Sequence, residues 1–233
     1  MTGRERVLAA INHETPDRVP IVIVASNATG LKAGPYHGLK QLLGLATADR
    51  YIYDWPELGT IQPDEAVLER LHSDVRGVFD SFPAATLGRN AARPAHAPFI
   101  DDWGSGQVEV EDGTWYPGVH PMAEAATIEA IEAYPWPDMD DPSRVAHVRA
   151  TAAGLAADGR YAILATPWLL FPFERAFAMQ GLETFLMNLA LEPEFAEALL
   201  RKIADRCTVL MGHFLDALGP DVDMIKIGDD LGT

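Results

Sequence analysis

The sequence predicts an α/β fold built on a parallel sheet, and three features predict it. Four apolar runs of strand length stand at 19–25 (VPIVIVA), 75–79 (VRGVF), 161–166 (YAILAT) and 221–227 (DVDMIKI). Helical stretches with one apolar side separate them, the longest over 193–218. The segment QVEVEDGTWY at 107–116 alternates in character around Asp112-Gly113 and reads as a hairpin inserted into that rhythm. Strands alternating with helices give a parallel sheet. Four of them with right-handed crossovers fit an open doubly wound sheet or half of a closed barrel, and periodicity does not choose.

The elements follow in order. Residues 3–13 put Val7, Leu8 and Ile11 on one side of a helix, with charges opposite. After the strand at 19–25, Gly30, Gly34, Pro35 and Gly38 predict a loop, then a short helix around 39–43. Pro63, Asp64 and Glu65 suit the N-terminus of a helix over 63–72, before the strand at 75–79. Residues 83–98, rich in alanine and proline, predict a loop, and the hairpin insertion covers about 98–120. Helices are expected over 123–133 and over 143–157, the second opened by Ser143 as a cap. Beyond the strand at 161–166, helical patterning over 173–190 breaks at Gly181. In the helix from Pro193 to Leu218, Phe195, Leu199, Ile203, Cys207, Leu210, Phe214 and Leu218 step by three or four, which predicts one buried face. Gly219-Pro220 ends it, and the last strand leads into Gly228-Asp229-Asp230.

Composition narrows the function classes. The 233 residues are 48% hydrophobic and 22% charged, as in ordinary globular proteins. Eighteen Lys and Arg against 34 Asp and Glu give a net charge of −16, which argues against nucleic acid as a partner. One cysteine, Cys207, excludes an intrachain disulfide and a multi-cysteine zinc site within these residues, so no metal is expected here. The N-terminus has no signal-peptide pattern and no run of about 18 apolar residues occurs, so a cytoplasmic protein without a membrane span is expected.

Several blocks together resemble the uroporphyrinogen decarboxylase superfamily. They are RERVLAAINHETPDRVPI (4–21), PDEAVLERLHSDVRGV (63–78), DDWG (101–104), YPWPDMDDPSRV (134–145), FERAFAMQGLETFLMNLALEPEFAEALL (173–200) and IKIGDDLGT (225–233). The resemblance implies a (β/α)8 TIM barrel of which residues 1–233 form a single incomplete domain, with about the first four strands present. It is nearest the branch that includes cobalamin-dependent methyltransferases, which implies corrinoid-linked methyl transfer or demethylation of a small substrate. In that branch zinc is held by ligands expected beyond Thr233, and a corrinoid protein is the implied partner. The decarboxylases themselves carry an arginine-rich motif after the first strand, where this chain has Ala25-Ser26-Asn27-Ala28-Thr29-Gly30. Their active-site tyrosine falls near Phe173, and their serine after the fourth strand corresponds roughly to Asp230. Porphyrinogen decarboxylation is thus the second reading, and a non-catalytic barrel that binds a small ligand or a corrinoid protein is the third.

The candidate site residues follow from position. Asp229 and Asp230 end the fourth strand, where parallel sheets collect their chemistry, and adjacent carboxylates raise one another's pKa and can serve as an acid. Glu174, beyond the third strand, joins them as a catalytic candidate beside Arg175. Arg76, Trp168 and Phe173 are expected to bind substrate, Arg76 as a guanidinium for a carboxylate or phosphate. The alternatives are a helix cap for an aspartate, a salt bridge for Glu174 or Arg76, and core packing for the aromatics. A half barrel leaves strand edges and apolar helix faces bare, so aggregation or pairing with a second copy is expected.

Overall fold

The computed structural model describes residues 1–56, 59–110, 114–168 and 171–229 and has a mixed α/β fold. In chain order the elements are α1 (Gly3–Ile11), α2 (Ala33–Leu43), β1 (Arg50–Tyr51), β2 (Ile61–Gln62), α3 (Glu65–Arg70), β3 (Val75–Phe79), α4 (Ala84–Ala91) and β4 (Phe99–Ile100). There follow β5 (Gly106–Glu109), β6 (Trp115–Val119), α5 (Ile128–Ala133), α6 (Val148–Asp158), β7 (Ala162–Thr166), α7 (Pro172–Gln180), α8 (Leu182–Leu191), α9 (Pro193–Leu218) and β8 (Met224–Ile225). The chain divides into two compact units. The first holds Met1–Ser81, Val145–Trp168 and Phe214–Lys226; the second holds the described residues of Phe82–Arg144, Leu169–His213 and Ile227–Thr233. No helix among the described residues is long and apolar enough to cross a membrane.

The first unit is organised by a parallel sheet in the order β3-β7-β8, whose strands lie side by side in chain order with β4, β5 and β6 falling between the first two in sequence. Val75 to Phe79 pair with Ala162 to Thr166, and Leu164 and Ala165 pair with Met224 and Ile225. Val75, Val78, Ala162, Ile163 and Ala165 are buried, as strands covered on both faces require.

The expected first strand forms no ladder. Ile21 C=O accepts from the Asp74 N–H at 2.7 Å, but the Ile21 N–H goes to the Asp74 carboxylate and the Ile23 N–H to the Ser73 hydroxyl. Two side chains have taken the donors that a neighbouring backbone would use. Val24 then turns left-handed at φ 46°, a conformation that ends a strand at a β-branched residue. The last strand is also shorter than the sequence suggests, two residues of the expected run.

Helix α1 is closed by a capping box between Thr2 and Glu5. Its buried residues are Arg6, Val7 and Ala9, while Ile11, expected on that face, is 49% exposed. Helix α2 absorbs Gly34, Pro35 and Gly38, which were expected in a loop, while Gly30 stays outside it. Pro35 lies in its first turn, where an N–H has no intrahelical acceptor to lose. Helix α6 begins at Val148, later than expected. The first helix also fastens the last strand: Arg4 donates to both Asp223 oxygens at 3.0 and 3.2 Å, and Asp223 in turn accepts the Ile163 N–H.

In the second unit, β4, β5 and β6 form an antiparallel sheet at the place expected for the insertion. Val108 pairs with Tyr116 and Glu109 with Trp115, and Asp112-Gly113 lies outside the described residues. Helix α4 stands where a loop was expected, because Pro83 and Pro94 bracket it rather than interrupt it. Ser143 accepts the Ala84 N–H at 3.0 Å, so it serves the start of α4 instead of a helix of its own. Helix α5 is limited to six residues by Thr127, whose hydroxyl accepts from Ala130. Gly181, at φ 85°, separates α7 from α8. All seven of the spaced apolar positions on α9 are buried. Phe195 to Leu210 join Trp103, Met179 and Phe185 in this unit's core, while Phe214 and Leu218 belong to the first unit.

Candidate functional site

The two ends of the parallel sheet differ in chemistry. Asp74, just ahead of β3, binds Arg6 at 2.6 Å and Arg18 at 2.7 Å, and Arg6 also binds Asp17. Burial alone would raise the Asp74 carboxyl. Hydrogen bonds from Arg18 and the Ile21 N–H, with the charges of Arg6 and Arg18, bring it below the usual range. Arg76 points into the same polar framework. Its Nε and Nη2 hold Glu65, its Nη1 donates to the Ser73 and Val75 carbonyls, and its guanidinium lies 3.4 Å from the centroid of the Tyr161 ring. Its nitrogens are thus all engaged within the protein.

The carboxyl end of the sheet carries a different set. Asp80 follows β3 directly, is 2% exposed, and accepts the backbone N–H of Trp168 at 2.6 Å. Trp168, two residues past β7, lays its ring 4.9 Å from Tyr53 and 5.3 Å from Trp55. Tyr53 is held at φ 57°, a strained conformation for an aromatic residue. Its ring stands edge-on to Phe79 at 5.4 Å and its hydroxyl donates to the Thr166 carbonyl. Burial first, and then the nearby Asp80 charge, push the Tyr53 phenol well above its ordinary pKa, so it remains a neutral donor. At the start of α6, His147 Nε2 donates to the Phe79 carbonyl at 2.9 Å. Tyr53, Phe79, Asp80 and His147 line a cavity of about 170 Å³, together with Tyr51 and Gln62. Near the same strand ends, Lys226 donates to Asn27 at 3.3 Å.

Of the residues singled out in the sequence, Trp168 belongs to this cluster. Phe173, Glu174 and Asp229 meet in the second unit, at the N-terminus of α7. There the Asp229 carboxylate accepts the N–H of Phe173 at 3.1 Å and of Glu174 at 2.8 Å, the arrangement of a helix cap supplied from a distant residue. The Phe173 ring packs edge-on against Phe177 and Phe185 in the core. Arg175, fully buried, binds Asp101 at 2.6 Å and sits over Trp103. Asp230 lies outside the described residues.

Asp80, Tyr53 and His147 were not evident from the sequence alone. Asp80 had a usable signal, since it stands one residue past an apolar strand, the rule applied to Asp229. Tyr53 had none, because it reaches the sheet through a loop fold that periodicity does not encode.

The described residues do not fit a zinc site. No three His, Cys, Asp or Glu side chains among them converge as ligands. Cys207 is packed in the core, where burial pushes its thiol up to about 11, away from the thiolate that a metal takes. Comparison of the chain with protein-family models, curated proteins and solved structures gives no match.

Proposed function

We propose that this chain is part of a (β/α)8 barrel enzyme of the uroporphyrinogen decarboxylase superfamily, on its methyltransferase-like branch, with β3, β7 and β8 as three of the barrel strands. The observation that carries the reading is the asymmetry of the parallel sheet. Its three parallel strands lie side by side in chain order, with the antiparallel β4, β5 and β6 inserted between the first two, an order compatible with a barrel that carries an insertion. Its carboxyl end gathers Asp80, Tyr53, Trp168 and a small cavity, while Arg6, Arg18 and Arg76 are bound to carboxylates at or near the other end. A porphyrinogen with many carboxylates needs free guanidinium groups where it binds. This cavity, lined by no Lys or Arg among the described residues, suits a small substrate without that charge.

In this reading Asp80 and Tyr53 orient the polar part of the substrate, and Trp168 closes the cluster behind Tyr53. The resemblance names a corrinoid as the methyl carrier. No step is assigned to zinc, because the donor set present does not fit it. The test is to assay the purified protein with methylcobalamin and a panel of small acceptors, and in parallel with uroporphyrinogen. Methyl loss from methylcobalamin that falls at least about tenfold in Asp80→Asn is expected, with no change in porphyrinogen carboxyl number. Porphyrinogen decarboxylation would reverse the choice of branch, and binding without either turnover would favour a non-catalytic barrel.

A further inference from the structure

We infer that the cavity at the carboxyl end of the parallel sheet takes a small neutral molecule that both donates and accepts hydrogen bonds, such as a hydroxylated amide or alcohol. The inference rests on the reading of this sheet end as the substrate site and adds the chemical class of the substrate; it does not depend on the reaction assigned there. Every residue of the lining belongs to the first unit. Gln62 comes to it from β2, Tyr51 from β1, Ser81 from just beyond β3 and His147 from the start of α6. Among the described residues, the Gln62 amide and the Tyr51 and Ser81 hydroxyls make no hydrogen bond within the protein. All three residues are half-buried, and none of these polar atoms is sealed off from solvent. Tyr53, in the same wall, is held at φ 57°, and backbone strain of this kind collects at ligand sites.

The unpaired groups decide the class of ligand. An amide and two hydroxyls offer donors and acceptors together and carry no charge. The His147 ring donates through Nε2 to the Phe79 carbonyl, which leaves Nδ1 of the neutral ring as an acceptor. Thr151 donates to the His147 carbonyl at 3.0 Å and keeps its lone pairs. No Lys or Arg lines the cavity among the described residues, so an anion would leave water without a cationic partner. The Asp80 carboxylate already accepts from the Trp168 N–H at 2.6 Å, and the unpaired groups themselves favour neither sign of charge. A neutral ligand loses least on leaving water and gives each of these groups a partner. At about 170 Å³ the space equals roughly five or six waters at about 30 Å³ each, which admits a ligand of a few heavy atoms.

Saturation-transfer NMR titration of the full chain with glycolamide, at neutral pH and at ionic strength fixed with sodium chloride, tests the assignment. Glycolate keeps the same skeleton with a negative charge, and protonated ethanolamine sets the same hydroxyl beside a positive one. Saturable glycolamide binding, at least about tenfold tighter than that of either ion, is expected. Gln62→Met removes the amide at nearly constant shape and Ser81→Ala removes the hydroxyl. Each should weaken glycolamide about threefold or more, as loss of one neutral hydrogen bond requires, without changing the far-ultraviolet circular dichroism. Should a variant not fold, the comparison of the three probes on the parent protein decides. Absence of saturable binding to the folded protein, binding of either ion as tight as that of glycolamide, or glycolamide affinity unchanged in both variants would overturn the inference. Glycolamide binding without methyl transfer would uphold it while removing the proposed reaction. Methyl transfer confined to charged acceptors would remove the inference alone.

Discussion

Asp74 shows how one side chain can decide the fate of a strand. Its carboxylate is 4% exposed and accepts from Arg6, Arg18 and the Ile21 N–H, so it secures the segment at 19–25 by side-chain bonds in place of a ladder. Because its folded pKa lies below the ordinary value of about 3.9, it adds stability above that pH and loses it as pH falls through the folded value. Asp74→Asn leaves Arg6 partly uncompensated and should cost about 3 kcal/mol at pH 7. Thermal melts across pH should show the gap to the parent narrowing below about pH 4; a gap independent of pH would rule out the ionised carboxylate as the cause. The sequence showed Asp74 only as a neighbour for Arg76. In the fold it binds Arg6 and Arg18, partners 68 and 56 residues away, and no local pattern reports pairings of that range.

At the level of elements, α7 depends on Asp229. The first N–H groups of a helix lack intrahelical acceptors, and here a carboxylate from beyond the last strand accepts two of them. Asp229→Ala should therefore lower stability by about 0.5–2 kcal/mol, read as a lower midpoint in urea, whereas Asp229→Asn, with one acceptor oxygen where the carboxylate uses two, should retain part of it. Equal loss in both variants would point to the charge and not to the cap. Helices with a long apolar repeat were legible: α9 is bounded by Pro193 and Leu218 as its spacing indicates. Strands β3 and β7 were legible for the related reason that a doubly covered strand is a short apolar run. The strand at 19–25 has the same composition and failed, since Ser73 and Asp74 compete for its backbone. Helix α4 was hidden because alanine and proline signal a loop unless the prolines fall at its ends. The site divided similarly: Trp168 was legible from its place after a strand, while Tyr53 and His147 enter by loops and helix starts remote in sequence.

For the molecule as a whole, the exposed apolar side chains of α8 are where association is expected. Leu182, Leu186, Met187 and Leu191 are between 46% and 67% exposed and recur on one side of the helix. Soluble monomers seldom leave such a row uncovered. Self-association that grows with concentration is expected in sedimentation velocity, and Leu186→Lys should reduce it without changing the far-ultraviolet circular dichroism. A single species at every concentration would show that this face needs no cover.

The bond between Arg4 and Asp223 bears on how the protein is made. These residues stand 219 apart. At a synthesis rate of about 5–20 residues per second, α1 waits roughly ten to forty seconds on the ribosome for the strand it fastens. In the last part of that delay, once residues 162–166 are made, β7 has an unpaired edge, and its backbone is open to any other nascent chain nearby. The first turn of this protein thus completes its contacts only after Asp223 has been made, and the interval between is when chaperone protection would matter most.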